Sequence, residues 1–98
     1  MFIIILTYKK PLSEIDPHIP AHRVFLDAGY KNNAFVASGA KAPRTGGVII
    51  SHLKNRADVE ALVKQDPFYQ HDVADYEIIE FQPSKFHPDF SAFVSEKA

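Results

Sequence analysis

The run Phe2–Tyr8 constrains the fold more than any other stretch of this chain. Side chains of a strand alternate between two faces, and here both faces are β-branched, aliphatic or aromatic. A strand of this kind lies at the centre of a sheet and is covered on both sides. In a chain of 98 residues, one cover is the protein's own helices. We expect the other to be a second copy of the chain, which makes the protein a homodimer.

Length and composition indicate an ordinary globular protein. We predict a single domain over residues 1–98, with its core at about 2–83 and a C-terminal tail at 84–98. Lysine and arginine number 11 against 12 aspartates and glutamates, and no basic stretch is interleaved with aromatic residues, so we do not expect a nucleic-acid partner.

Cysteine is absent from the sequence, which removes disulfides and thiolate metal sites and favours the cytoplasm as the compartment. The apolar N-terminal run is too short to cross a bilayer. Its lysines, Lys9 and Lys10, follow the run rather than precede it, so it does not resemble a signal peptide. We therefore expect no membrane association.

Apolar periodicity predicts the element order β-α-β-β-α-β. After a connection at 9–18, the predicted elements are a helix from 19 to about 30, strands at 34–39 and 46–53, a helix at 55–66, an outer strand at 76–82 and a short helix from Pro88. This order is typical of the α+β ferredoxin-like fold, with a four-stranded antiparallel sheet and both helices on one face. The opposite face remains apolar, which again favours a dimer.

His22 lies on the apolar stripe of the first predicted helix, where the pattern requires a core residue. Pro20 is suited to the first turn of that helix, and Gly29 with the pair at 32–33 supplies its end. A histidine in such a position is either a buried side chain with a hydrogen-bond partner or a functional group in a half-buried pocket.

Asp66 repeats this placement on the second helix, at the position that continues the stripe of Val59, Leu62 and Val63. A carboxylate in the last turn of a helix opposes its dipole. The alternative is that Asp66 and Pro67 form the N-cap and first residue of a short turn at 67–71.

The loop at 40–45 is longer than a tight hairpin requires. Arg44, Lys41 and the amides of Gly46 and Gly47 are candidates to bind an anionic or carbonyl group. The alternative is a solvated loop whose glycines permit positive φ angles.

A metal site is a further alternative, because His18 and His22 are four residues apart and Asp66 would be a third ligand. Pro20 starts the helix, however, and leaves His18 outside it. We therefore predict no metal and no cofactor. The remaining histidines are read as surface or loop residues: His52, His71 and His87.

Several segments in order resemble the YciI-like (YCII-related) family of small dimeric α+β barrel proteins. They span residues 2–83 and comprise the opening strand, Pro20-Ala21-His22, Ala37-Ser38-Gly39, residues 43–50, Asp66-Pro67-Phe68 and residues 76–81. The resemblance implies a ferredoxin-like fold and a functional pair that falls on His22 and Asp66. One member of that family eliminates chloride from a chlorinated hydroxyquinol. The tail from Phe86 onward lies outside the shared pattern.

Taken together, these features predict acid–base chemistry without a nucleophile. If Asp66 accepts a hydrogen bond from one ring nitrogen of His22, the other nitrogen is left as a base. We expect cofactor-independent proton transfer, in the elimination or isomerisation of a small oxygenated compound, with a cyclic one favoured. The expected substrate-binding residues are Ser38, Arg44, Phe68 and Tyr69.

Ser38 is expected to orient the substrate rather than attack it, since nothing marks it as activated. Arg44 would bind negative charge, and Phe68 or Tyr69 would line the pocket. The alternative function is a non-catalytic metabolite-binding or scaffold dimer, in which the histidine–aspartate contact is structural.

Overall fold

The computed structural model describes residues 1–94. Four strands form one antiparallel sheet: β1 (Phe2–Tyr8), β2 (Phe35–Ala40), β3 (Gly46–Ser51) and β4 (Ala74–Glu80). Their order across the sheet is β2-β3-β1-β4. The predicted ferredoxin-like α+β arrangement is therefore confirmed, with β1 at an inner position and β4 at an edge.

Two longer helices connect the strands: α2 (Ile19–Lys31) between β1 and β2, and α3 (Arg56–Val63) between β3 and β4. The residues at 9–18 were expected to form a plain connection, which is wrong. They contain the short helix α1 (Leu12–Ile15) and a 3₁₀ turn (Asp16–His18) that lead directly into α2. Ile15 is fully buried, and this anchors the segment to the core.

The end of α2 matches the sequence pattern in part. Asn32 occupies the C-cap, and Asn33 follows with a left-handed φ of 61°. Gly29, in contrast, lies inside the helix rather than at its end. An added Cβ there would lie 2.1 Å from the ring of Phe35, so this glycine permits close packing of α2 on β2.

The second predicted helix is shorter than expected. Helix α3 ends at Val63, and a turn brings the chain to a further short helix, α4 (Pro67–Gln70), which begins just after Asp66. Asp66 therefore does not continue the stripe of α3, which corrects the expectation from helical periodicity. It is the N-cap of α4, as the alternative prediction has it.

The core lies between the sheet and the helices. Phe2, Ile4 and Leu6 of β1 are at most 2% exposed. They pack with buried residues from the surrounding elements: Ile15, Phe25, Phe35, Ile49, Val59, Val63 and Phe68. Burial of these side chains is the main force that holds helices and sheet together.

The opposite face of the sheet is apolar and partly exposed. In the register of the ladders, Ile3 of β1 lies between Ile50 and Ile79, and Ile5 lies beside Val48. Ile79 is 39% exposed. The predicted apolar face is thus present in the single chain.

The described part of the tail contains a 3₁₀ helix at Pro88–Phe93, and Phe93 packs edge-on against His52 with 5.6 Å between the ring centroids. Residues 95–98 of the predicted tail lie outside the described residues. Within residues 1–94, no helix has the length and hydropathy that a membrane span requires.

Candidate functional site

His22 sits in the early part of α2 and contacts the segment around α4. Its ring stacks on Phe68 of α4, with centroids 4.1 Å apart and planes 13° from parallel. Its side chain is 15% exposed. The imidazole is thus held flat against an aromatic surface and keeps one edge accessible.

Asp66 holds the other edge of that imidazole. His22 Nδ1–H donates to Asp66 Oδ1 over 2.8 Å, and the same oxygen accepts the backbone N–H of Phe68 over 3.0 Å. The Asp66 side chain has 0% exposure. A buried carboxylate requires donors around it, and the turn that begins α4 supplies one of them through its cap.

Tyr76, on β4, supplies a third donor. Its hydroxyl donates to Asp66 Oδ2 over 2.5 Å. Burial, followed by the negative charge of Asp66, raises the pKa of this phenol well above its ordinary value of 10.0. Tyr76 was not among the predicted site residues. Its one sequence signal is that it lies on the helix-facing side of a half-polar strand, in register with Leu6.

The second nitrogen of His22 faces open space. Within residues 1–94, His52 Nε2 is the only buried side-chain nitrogen or oxygen without a partner. His22 Nε2 also forms no hydrogen bond within residues 1–94. Because it is not among the buried atoms that lack a partner, it must be accessible to solvent. Because Nδ1 carries the proton given to Asp66, the neutral ring has its lone pair on Nε2.

A cavity of about 260 Å³ adjoins His22. Its walls come from β1, α2, the end of β2, the following loop and the start of β3, with the apolar residues Leu6, Ile19, Leu26, Val48 and Ile49 among them. The volume lies just below the range of about 300–1,000 Å³ typical of ligand pockets, so the space would suit only a small molecule.

Three of the four residues predicted to bind substrate line this cavity: Ser38, Arg44 and Phe68. Ser38 Oγ is hydrogen-bonded to the hydroxyl of Tyr30 over 2.7 Å. Tyr69 does not belong to the lining. It is 42% exposed and packs edge-on against Tyr76. Tyr69 follows Phe68 on α4, and successive side chains of a helix point in different directions, so the two residues do not share the cavity wall.

Arg44 is not an isolated charge. It forms an ion pair with Asp16 of the 3₁₀ turn that precedes α2, and the hydrogen bond to Asp16 raises the pKa of the guanidinium. Lys41, the second cation of the loop, donates to Thr7 Oγ1 over 3.1 Å and is not part of the cavity wall.

The glycines after the loop are part of the sheet. Gly46 and Gly47 belong to β3 and pair with Thr7 and Leu6 of β1. Neither has a positive φ angle, so the conformational freedom that glycine permits is not used at these two positions. A Cβ at Gly46 would lie 1.8 Å from the carbonyl oxygen of Leu6, so the residue is small because two strands approach closely there.

Arg23 also lines the cavity, next to His22 along α2. Helical periodicity places it on the polar flank of the helix, and this gave no indication of a site. Within the described residues it has no hydrogen-bond or ion-pair partner. The sequence offers it Asp27 one turn further on, but that pair does not form.

The histidines do not assemble a metal site in residues 1–94, where no three of His, Cys, Asp and Glu meet in a ligand arrangement. His18 lies in the 3₁₀ turn and stacks on the exposed ring of His71, with centroids 4.1 Å apart. His52 lies in the loop after β3, where it is half-buried and packs edge-on against Phe93. His87 is exposed and caps the 3₁₀ helix by accepting from the Asp89 amide.

Comparisons with known proteins agree with this architecture. A model of the YCII-related domain matches residues 1–82. No curated protein matches the chain in sequence. Among solved structures, the chain is similar to the 5-chloro-2-hydroxyhydroquinone dehydrochlorinase TftG of Burkholderia phenoliruptrix AC1100, in complex with 2,5-dihydroxybenzoquinone. That match has a TM-score of 0.69 and 17% identity, and covers 83% of this chain and 93% of the other.

Proposed function

The chain belongs to the YCII-related domain family, and from this membership and the contact between His22 and Asp66 we propose a small-molecule enzyme that transfers protons without a cofactor. The reaction is the elimination or isomerisation of a small oxygenated compound, with cyclic compounds favoured. The structural neighbour carries a dehydrochlorinase name and a bound dihydroxyquinone, which supports this class of chemistry.

The observation that carries the proposal is the orientation of the imidazole. Asp66 accepts the Nδ1 proton over 2.8 Å, so the lone pair lies on Nε2, the accessible nitrogen of a residue that lines the cavity, and can act as a general base there. Phe68 and Asp66 fix the ring from a face and an edge, so little reorganisation is needed before a proton is taken up. The protonated ring formed in this step is stabilised by the carboxylate beside it.

The tautomer provides a direct test that needs no substrate. In ¹⁵N spectra of the His22 ring, we expect the neutral form to carry its proton on Nδ1. Asp66→Asn should weaken this preference, while Asp27→Asn, on the exposed side of the same helix, should leave it unchanged. A proton on Nε2 in the unmodified protein would show that this nitrogen is not the base.

Turnover is the second test. Small hydroxylated ring ketones, lactones and 5-chloro-2-hydroxyhydroquinone are incubated in D₂O and followed by NMR for deuterium uptake, isomerisation or chloride release. Removal of the base by His22→Gln should lower the rate by about 10²–10⁴-fold. Arg56→Gln, which removes an ion pair with Glu60 on α3, is the matched control and should retain activity.

A non-catalytic binding or scaffold protein is the second candidate. It is favoured by the structural contacts of Asp66, which caps α4 and joins it to β4 through Tyr76. In that case His22→Gln should retain ligand binding and no tested compound should exchange protons faster in the presence of the protein. The two candidates therefore differ in turnover, not in fold.

We also propose that the protein is a homodimer that pairs its apolar sheet faces. The row formed by Ile50, Ile3 and Ile79 crosses three strands, and such a patch can meet its own copy about a two-fold axis. Ile5→Glu should give a monomer by size-exclusion chromatography with light scattering. Val24→Glu, at a residue that is 68% exposed on α2, should leave the mass unchanged.

A single domain over residues 1–98 and a cytoplasmic location stay predictions from the sequence. Proteolysis in native buffer and cell fractionation would test them. No cofactor is required for the proposed chemistry, because proton transfer by an imidazole needs neither a redox group nor a metal.

A further inference from the structure

The charges around the cavity are unequally matched. Among residues 1–94, its lining includes two arginines, Arg23 and Arg44, and no aspartate or glutamate. Arg44 is already neutralised by its ion pair with Asp16. Asp66 is fully buried behind the imidazole and its oxygens are occupied by three donors. Arg23 is therefore the cation whose hydrogen-bond donors remain available to a ligand.

The conformation of Arg23 strengthens this assignment. An arginine can pair with an acidic residue four positions later on a helix, as Arg56 does with Glu60 on α3. Arg23 and Asp27 have this spacing on α2, yet no ion pair joins them. The Arg23 side chain instead borders the same cavity as His22.

We propose that this cavity binds a small monocyclic carboxylate and that Arg23 holds its anionic group. This assignment names the substrate class for the proposed function and rests on it, since the ligand occupies the cavity next to His22. A guanidinium offers two parallel N–H groups that match the two oxygens of a carboxylate. The charge pairs with Arg23 at the exposed rim, where desolvation costs less than in the interior.

The apolar walls of the cavity indicate what the uncharged part of the ligand should be. Leu6, Ile19 and Leu26 form apolar surface beside the imidazole, which suits a ring and not a second charged group. At about 260 Å³ the cavity has room for one ring with its substituents. A carboxylate at Arg23 would then anchor the ring with its body next to His22, where Nε2 can reach a ring proton.

Benzoate and benzamide provide the test, because they share ring and size and differ in charge. Binding is followed by ¹H–¹⁵N NMR shifts of the unmodified protein and of four arginine variants. We expect saturable binding of benzoate at millimolar concentration, with shifts at residues of the cavity wall. Arg23→Gln should weaken benzoate binding by about tenfold or more and change benzamide binding by less than about twofold.

The other variants locate the effect. Arg23→Lys should restore part of the affinity, because the charge returns without the two-pronged geometry. Arg44→Gln should cost less than Arg23→Gln, since Arg44 is paired with Asp16, and Arg56→Gln should have no effect. Absence of saturable benzoate binding, or equal affinity in Arg23→Gln, overturns the proposal, as does a larger loss in Arg44→Gln.

This experiment is independent of proton transfer, because benzoate is not turned over. If the His22 tautomer is wrong but Arg23→Gln loses benzoate, the proposed function fails and the anion site stands. If the tautomer and turnover are as expected but benzoate binding ignores Arg23, the proposed function stands and this substrate class is wrong.

Discussion

Tyr76 donates its hydroxyl proton to Asp66 Oδ2 over 2.5 Å, on the carboxylate oxygen that His22 does not use. The two oxygens therefore have different partners: Oδ1 accepts hydrogen bonds from His22 and from the backbone amide of Phe68, and Oδ2 accepts one from Tyr76 on β4. A carboxylate held at both oxygens cannot rotate when the imidazole gains or loses a proton. Tyr76, on the edge strand, thus helps to fix the orientation of the Asp66 carboxylate.

Tyr76→Phe should lower the free energy of unfolding by about 1–3 kcal/mol, because a buried carboxylate oxygen loses its donor. Urea unfolding measures this change. Tyr69→Phe is the matched control: Tyr69 is 42% exposed, so its variant should stay within about 0.5 kcal/mol of the unmodified protein. Equal losses in both variants would contradict a specific role for Tyr76.

High pH should destabilise the fold through the same phenol. The pKa of Tyr76 is raised above its ordinary 10.0 by burial and by the charge of Asp66. Above that ordinary value the unfolded chain releases the proton and the folded chain keeps it, so stability is complete below pH 10 and falls as the pH rises further. Absorbance near 295 nm should show one of the four tyrosines ionising late, together with unfolding. In Tyr76→Phe this late component should be missing.

Much of the fold was accessible from the sequence because its signals are local. The two-sided apolar pattern of β1 predicted an inner strand, and the mixed polarity of β4 predicted an edge. Boundaries failed where tertiary packing decides them. Burial of Ile15 in the core accompanies helical turns at residues 12–18, although the prolines around it predicted an irregular connection.

The candidate site was predictable to the extent that its residues follow helical and capping patterns. His22 on an apolar stripe and Asp66 before a proline were both visible. Tyr76 and Arg23 were not. The contact of Tyr76 with Asp66 depends on the register of β4 in the sheet, and the place of Arg23 in the cavity wall depends on the direction of its side chain from α2. No spacing rule links Tyr76 to Asp66, since the turn at 71–73 and the sheet register bring them together.

Removal of the Asp66 carboxylate should be the most damaging single change at the site. Asp66→Ala leaves the Nδ1–H of His22, the amide of Phe68 and the hydroxyl of Tyr76 without an acceptor in a buried region. We expect a loss of about 3–5 kcal/mol in the free energy of unfolding, measured by urea or thermal denaturation. Asp27→Ala, on the exposed side of α2, should change it by less than about 0.5 kcal/mol. A small loss in Asp66→Ala would mean that water replaces the carboxylate.

Gly46, which lines the cavity, should tolerate no side chain because the backbone of β1 lies too close to it. A Cβ there would lie 1.8 Å from the Leu6 carbonyl oxygen and 2.8 Å from its carbon, and both atoms belong to the main chain of the inner strand β1. Because a backbone cannot move aside as a flexible side chain can, Gly46→Ala must separate β1 from β3 or disrupt their ladder. We expect at least about 2 kcal/mol of destabilisation in urea unfolding.

Gly39→Ala is the matched control for that change. Gly39 also borders the cavity and also lies in a strand, but an added Cβ would have no heavy atom within 4 Å. Its replacement should be neutral or slightly stabilising, by up to about 1 kcal/mol, because alanine restricts the unfolded chain more than glycine does. If Gly46→Ala were as stable as Gly39→Ala, the close approach of β1 and β3 would not be what requires a glycine at this position.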